Sequence, residues 1–165
     1  MKLPRTPQFG AILFRCGELI QRQGQAVHED LGIDLEARNI SIVLTLSKHG
    51  PQTSTEISGA IGISRQLIEQ RLKSLVSDDF LVSYQSPKDS RKRVYDFTEK
   101  GKNEATRIIS MMVDFEKVYA DLWNEIGVEL EAGLQAFERA LAKKPLTERL
   151  CETFPKYDKQ KMEQE

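Results

Sequence analysis

Two adjoining stretches decide the fold: TSTEISGAIGISRQLIEQRLKSLVSDDF, residues 53–80, and LVSYQSPKDSRKRVYDFTEKG, residues 81–101. Thr53-x-x-Glu56 is a capping-box signature, in which a threonine hydroxyl and a glutamate carboxylate satisfy each other's backbone N–H groups. It opens a short helix from Glu56 to Ile61. Gly62 then supplies a tight turn, and Ser64 is placed to cap a second helix running to about Asp78. Two helices joined by a short Gly-containing turn are the helix-turn-helix pattern. Phe80 to Gln85 is short and β-prone, Ser86-Pro87-Lys88-Asp89-Ser90 is turn chemistry, and Arg91 to Phe97 is β-prone again. That sequence of signals predicts a two-stranded hairpin, a wing, directly behind the helix-turn-helix.

Helices flank this unit on both sides. Phe9, Ile12, Leu13, Cys16, Leu19, Ile20 and Val27 recur at three- and four-residue steps, predicting a helix over 9–31 that Gly32 stops. A second helix over 35–48 carries Ile40, Ile42, Val43, Leu44 and Leu46 most of the way around, as a buried helix does, and His49-Gly50-Pro51 breaks it. Beyond the wing, Thr98 caps a helix whose apolar residues Ile108, Met111, Met112, Phe115, Tyr119, Leu122 and Ile126 hold one face. A last helix carries Leu130, Leu134, Phe137 and Leu141 and ends near Lys144-Pro145. The tail from Leu146 to Glu165 mixes a few apolar residues with charge, and its last ten residues read as loose. The fold class is therefore mainly α: a winged helix-turn-helix with a two-stranded wing and helical extensions at both ends.

Charge is distributed unevenly along the chain. The net charge is −1, but residues 65–102 carry 9 basic and 6 acidic side chains, and residues 103–165 carry 9 and 13. A nucleic-acid binder needs a basic face rather than a basic chain. On the helix after Gly62, Ile68, Leu72, Leu75 and Val76 fall within one arc of about 100°, which packs inward. The opposite side presents Gln66, Gln70, Lys73, Ser74 and Ser77, with Arg65 at its start, Leu67 at its border and Glu69 as its one acid. Glutamine pairs bidentately with adenine, serine reaches base or phosphate, and an apolar side chain meets a thymine methyl. The wing tip, Lys88-Asp89-Ser90-Arg91-Lys92-Arg93, concentrates four cations, which repel one another unless an anion meets them. Arginine enters a narrow minor groove, where the potential is most negative. Asp89 stands two residues before Arg91, placed to hold the guanidinium by charge-assisted hydrogen bonds. Standing alone, either surface reads as an ordinary solvated face; the turn before and the wing after shift the reading to double-stranded DNA.

These residues resemble the MarR (multiple-antibiotic-resistance regulator) family. Glu56-Ile57-Ser58-Gly59-Ala60-Ile61-Gly62-Ile63-Ser64 is similar to its helix-turn-helix. Phe80-Leu81-Val82, then Pro87-Lys88-Asp89-Ser90-Arg91, then Phe97-Thr98-Glu99-Lys100-Gly101 resemble its wing and the start of its next helix. The specific part is the Asp-x-Arg wing followed, nine residues after the Asp, by Thr-Glu-Lys-Gly. The resemblance covers the helix order from about residue 9 to 144 and is detailed over 53–101. It implies a homodimeric transcription factor, usually a repressor of a palindromic operator, often released by a small aromatic ligand or by oxidation. It also implies that residues 1–34 and 102–165 form a helical dimerisation region around a DNA-binding domain at 35–101. Two positions depart from the family pattern. Asp79 stands where Gly is common, and Asp visits left-handed backbone more readily than most residues. Gln70 and Ser74 stand where relatives often carry Arg, so the operator cannot be carried over. His28 and Arg38, near the junction of the helices 9–31 and 35–48, are the candidate effector contacts.

Other chemistries find little support. There is no Gly-rich phosphate loop, nucleophile elbow, clustered histidine or carboxylate pair in a specific context, which argues against an enzyme or a bound cofactor. Cys16 and Cys151 form no disulfide framework, which points to a reducing, cytoplasmic home. Cys16 lies on the stripe of Ile12, Leu13, Leu19 and Ile20, a position that favours packing over thiol redox sensing. His28-Glu29-Asp30 cannot converge on a metal from consecutive helical positions. No run of apolar residues reaches membrane-spanning length, so no membrane partner is expected. The competing readings are a winged helix that contacts protein instead of DNA, and a redox-sensing regulator acting through Cys16.

Overall fold

Positive backbone angles at a few positions set where the helices stop. In the computed structural model, residues 8–87 and 89–157 are described. α1, Phe9–Asp30, ends where Gly32 turns left-handed at φ 60°. The Gly32 and Ile33 N–H groups return to the Glu29 and His28 carbonyl oxygens at 3.1 and 2.8 Å, a Schellman closure. That closure drives Ile33 and Leu35 into the core. Glu36 is extended, and only a 3-10 turn at Ala37–Asn39 precedes α2, Ile40–His49, so the helix expected from residue 35 begins later. α2 buries Ile42, Val43 and Leu46 but leaves Leu44 exposed, so it is buried on one side rather than all around.

Gly50 at φ 73° ends α2 and leads into β1, Gln52–Thr53. This strand pairs with the distal strand of the wing, so the sheet has three strands where the hairpin signals predicted two. Two extended residues ahead of a helix are too short to show a period, which is why sequence pattern missed them. α3, Ser54–Ile61, opens on Thr53, whose hydroxyl accepts from the Glu56 N–H at 3.3 Å while the Glu56 carboxylate accepts from the Thr53 N–H at 2.8 Å. Gly62 at φ 76° makes the turn, and α4, Arg65–Ser77, starts from the Ser64 cap. Ile57, Ile68, Leu72 and Leu75 are buried, while Val76 is half-buried.

α4 ends on a second Schellman closure, with Asp79 at φ 60° in the left-handed position; the Asp79 and Phe80 N–H groups bond the Val76 and Leu75 carbonyl oxygens. β2, Leu81–Gln85, and β3, Arg93–Phe97, pair antiparallel from Leu81 with Phe97 to Gln85 with Arg93, and the sheet order is β1-β3-β2. β3 begins at Arg93 rather than Arg91, because the Lys92 N–H closes the turn on the Asp89 carbonyl at 2.9 Å.

The start of α5, Glu99–Ile126, is locked onto the end of α4. Thr98 Oγ1 donates to the Asp79 carbonyl at 2.6 Å and accepts from the Gly101 N–H at 3.0 Å. Thr98 N–H donates to the Phe80 carbonyl at 3.1 Å. Lys100 donates to the Asp78 carbonyl at 3.0 Å and lies 4.2 Å above the Phe80 ring. Gly101 is packed so closely that a Cβ there would stand 2.0 Å from the Phe80 carbonyl oxygen. Further along, Ala105, Ile108 and Met111 are buried, and Arg107 donates to the Leu31 and Gly32 carbonyl oxygens at the end of α1.

The chain divides into two compact units between Val113 and Asp114. The second comprises the rest of α5, α6 at Leu130–Lys143, α7 at Leu146–Thr153 and a 3-10 turn at Pro155–Tyr157. α7 was not anticipated in the tail; Arg149 fastens it by donating to the Lys144 and Ala140 carbonyl oxygens, and Lys144 pairs with Glu152. Phe115, Tyr119 and Trp123 form a ladder along α5 with ring centroids 6.0 and 5.6 Å apart. Neither α6 nor α7 contains a buried residue.

Two substitutions check this account by chemical unfolding. Gly101→Ala forces Cβ into the Phe80 backbone and should cost about 1–3 kcal/mol or more, as overpacking does. Thr53→Ala removes half of the capping box and should cost about 1 kcal/mol. A neutral Gly101→Ala would mean that α5 does not dock as described.

Candidate nucleic-acid interface

α4 is held by its buried arc, and this sets what the other side offers. Ser64, Arg65, Gln66, Gln70 and Lys73 are exposed together with Leu67. Ser64 Oγ caps the helix, accepting from the Leu67 N–H at 3.4 Å. Ser74 is half-buried and donates to Asp78 at 3.2 Å, so it stands further from the open face than the wheel suggests. Glu69 is tied inward: its Oε1 accepts from Arg65 Nε at 2.7 Å and from Ser54 Oγ at 3.2 Å. The one acid of the face is thus partly neutralised, and it braces α4 against the first turn of α3. Sequence reasoning did not foresee this brace; the i,i+4 spacing from Arg65 was its only local signal.

The wing projects cations on a rigid base. Asp89 Oδ1 accepts from the Arg91 N–H and from Arg91 Nε, each at 3.1 Å, and Oδ2 accepts from Arg91 Nη2 at 3.4 Å. The side-chain bond from Arg91, then its backbone N–H, hold the Asp89 carboxyl below its ordinary pKa. Stabilisation from a depressed carboxyl is present above its ordinary pKa and is lost as pH falls through the depressed value. The brace therefore persists through mildly acidic pH. Arg91 keeps 88% of its side-chain surface in solvent, so the guanidinium is oriented without being covered. Arg93 bonds Ser83 Oγ across the hairpin at 2.9 Å, and Lys92 is exposed. Lys88 lies outside the described residues.

The suggested effector residues are not brought together. His28 is fully buried and its Nδ1 meets the Leu35 carbonyl, so it serves the loop between α1 and α2. Arg38 is exposed, pairs with Glu36, and lines a cavity of about 320 Å³ with Glu18, Gln21, Arg22, Gln25 and Glu36. Cys16, expected to pack, is exposed on α1 in the single chain. Cys151 Sγ contacts the Tyr157 carbonyl oxygen at 3.4 Å. Among the described residues no group of three or more His, Cys, Asp or Glu gathers as a metal site, and no helix is long and apolar enough to cross a membrane. A basic residue absent from the expected face, Arg71, reaches back to the Arg38 carbonyl at 2.8 Å. Its position behind the reading face gave it no signal in the wheel.

Comparison with known proteins bears on the fold and the family. No curated protein matches the sequence. Among solved structures, the transcriptional repressor CouR bound to a 23-mer DNA duplex is 21% identical, with 86% of this chain and 99% of that chain covered and a TM-score of 0.61. A MepR-like protein complexed with pseudoligands is 18% identical, with 84% and 94% covered and a TM-score of 0.61. Overoxidized AbfR bound to DNA is 16% identical, with 74% and 92% covered and a TM-score of 0.57. These likenesses establish a winged helix-turn-helix fold. The motif resemblance pointed to MarR, whereas the matching family model is described as HxlR-like helix-turn-helix and spans residues 35–123. That span holds α2 to α4, the sheet and most of α5, and the chain belongs to the HxlR-like helix-turn-helix family.

Proposed function

We propose that this protein is a homodimeric, sequence-specific DNA-binding transcriptional regulator, a repressor released by a small amphipathic or aromatic effector. The observation that carries the reading is the exposed Gln66, Gln70 and Lys73 face of α4, set beside a wing on which Asp89 orients an exposed Arg91. In this reading Gln66 and Gln70 meet base edges, and Ser64, Arg65, Lys73 and Ser74 meet phosphate or neighbouring bases. Arg91 enters the minor groove, with Lys88, Lys92 and Arg93 along the backbone. CouR and AbfR were solved on DNA, which supports assigning the same partner to this fold.

The proposed organisation is of MarR type, with residues 1–34 and 102–165 as the dimerisation region and 35–101 as the DNA-binding domain. Its support is exposed apolar surface on the terminal helices. α1 exposes Phe9, Ile12, Leu19 and Ile20; α5 exposes Val118, Leu122 and Ile126; α6 exposes Leu134 and Phe137. Stripes of that extent mark association surfaces. Burial of the α1 stripe in a dimer also covers Cys16, which favours packing over thiol sensing. A dimer presents two reading helices about one helical turn of DNA apart, or a multiple of it, which a palindrome matches.

Release requires an effector that binds one dimer geometry better than the other. The cavity beside Arg38 at the α1–α2 junction is the proposed site. Its lining of Glu18, Gln21, Arg22, Gln25, Glu36 and Arg38 favours an effector with polar groups, while His28 is left to hold the loop that leads into α2.

Four outcomes test the reading. Sedimentation at micromolar concentration should show a dimer; an 18.8 kDa species alone would contradict it. On duplexes selected from a random pool, Gln66→Ala or Gln70→Ala should cost ~1–3 kcal/mol and relax preference at one position, whereas Lys73→Ala should weaken all sequences alike. Asp89→Ala should weaken binding although it makes the wing more positive; tighter binding would show that Asp89 only repels. Calorimetry should find effector affinity lowered by saturating DNA by the same factor that the effector lowers DNA affinity, about 1.4 kcal/mol for a tenfold effect.

A further inference from the structure

Arg65 is the first residue of α4, and its side chain is held before any ligand arrives. Its Nε donates to Glu69 Oε1 at 2.7 Å, one helical turn along. The same Oε1 accepts from Ser54 Oγ at 3.2 Å, and Ser54 is buried in the first turn of α3. The guanidinium is thus fixed with respect to both helices of the helix-turn-helix, not to its own helix alone. The pair stays in solvent, with 65% of the Arg65 side chain and 46% of the Glu69 side chain exposed. An exposed pair of this kind adds little to stability. What it adds is orientation: Nε–H is committed to Glu69, which leaves the Nη1 and Nη2 donors for a ligand. Two features select that ligand. Residues at the start of a recognition helix are those that meet base edges in the major groove. The Arg65–Glu69 pair is also neutral as a unit, so its attraction to a phosphate is largely cancelled while its hydrogen bonds remain. Two Nη donors suit two neighbouring acceptors, and in the major groove guanine O6 and N7 are the base atoms that offer them.

We propose that Arg65 reads a guanine in the operator, with Glu69 as its positioning residue and Ser54 fixing Glu69. This assignment rests on the DNA-binding reading given above and deepens it. Gln66 and Gln70 are suited to adenine, and Arg65 adds a guanine contact at the N-terminal end of the same face. Holding a long side chain in its bound conformation reduces the entropy lost on binding, which is what Glu69 contributes although it is an acid beside DNA.

The test is a double-mutant cycle on duplexes selected from a random pool by the wild type and, in parallel, by Arg65→Ala. The position at which Arg65→Ala loses its preference should carry guanine in the wild-type selection. Anisotropy titrations then compare the guanine duplex with one carrying adenine there. The affinity ratio should fall by about tenfold or more in Arg65→Ala, as loss of a bidentate base contact predicts. It should fall in Glu69→Ala too, although that change removes a negative charge from the DNA-facing helix. The double variant should lose no further preference, because Glu69 acts through Arg65. A merely structural role for Glu69 would weaken both duplexes alike and leave the ratio unchanged, which overturns the assignment. Glu69→Ala binding all duplexes more tightly with the ratio intact also overturns it, since Glu69 would then only repel. Arg65→Ala weakening all duplexes alike places Arg65 on phosphate, and additive losses in the double variant mean that Glu69 meets DNA itself; either result overturns the assignment. A wild type that selects a duplex without regard to Arg65 overturns this assignment and leaves the DNA-binding reading standing. A wild type that selects no duplex overturns both.

Discussion

The close approach of Gly101 to the Phe80 carbonyl is the constraint on which the arrangement depends. A Cβ would stand 2.0 Å from that oxygen, so only glycine lets the first turn of α5 reach the end of α4. Thr98 then bonds the Asp79 carbonyl and the Gly101 N–H, while Lys100 covers Phe80 and bonds the Asp78 carbonyl. Asp79 in left-handed backbone turns the chain out of α4 at the angle this docking needs. The wing is strung between these points. Its two strands leave from Phe80 and return at Phe97, so locking Thr98 and Gly101 fixes the wing relative to α4. A small motif of few side chains thereby sets the distance between the two surfaces proposed to meet one DNA site.

Electrostatics are organised by turning acids inward toward cations that then face solvent. Glu69 is occupied by Arg65 and Ser54, and Asp89 by the backbone and side chain of Arg91. Neither acid is free to repel a phosphate as an isolated carboxylate would. This lets a chain of net charge −1 present a locally cationic surface. Because exposed pairs of this kind contribute little to stability, their role here is orientation. Arg71 follows a different rule: it reaches back to the Arg38 carbonyl, and partial burial, then the neighbouring Arg38 cation, pull its pKa below the ordinary value.

Much of the fold was legible because its signals are local. Thr53 with Glu56, Gly62, Ser64, Gly32 and Asp79 each act through backbone geometry within a few residues, and each acts where its sequence signal placed it. The inward arc of α4 was legible too, since Ile68, Leu72 and Leu75 repeat with the helix. What failed was non-local. β1 is defined by pairing with a strand some forty residues later, and two residues cannot show a period. α7 depends on Arg149 reaching carbonyl oxygens at the end of α6, which no window on the tail contains. His28 looked like a polar contact for a ligand, yet it is spent inside the loop between α1 and α2, and Cys16 lies on surface that a single chain leaves open. Asn39 and Arg71 carry no motif; a single buried, unpaired side-chain atom on each, Oδ1 and Nε, is what sets them apart.

The central claim is that the α4 face and the wing together grip duplex DNA through its phosphates. Fluorescence anisotropy of a selected palindromic duplex, titrated across a range of salt concentrations, tests it most directly. Each phosphate neutralised contributes about −0.9 to the slope of log affinity against log salt. The account predicts a steep negative slope, with two protomers per duplex and a shallower slope in Arg91→Ala. A slope near zero, or binding by one protomer that ignores Arg91, would contradict it.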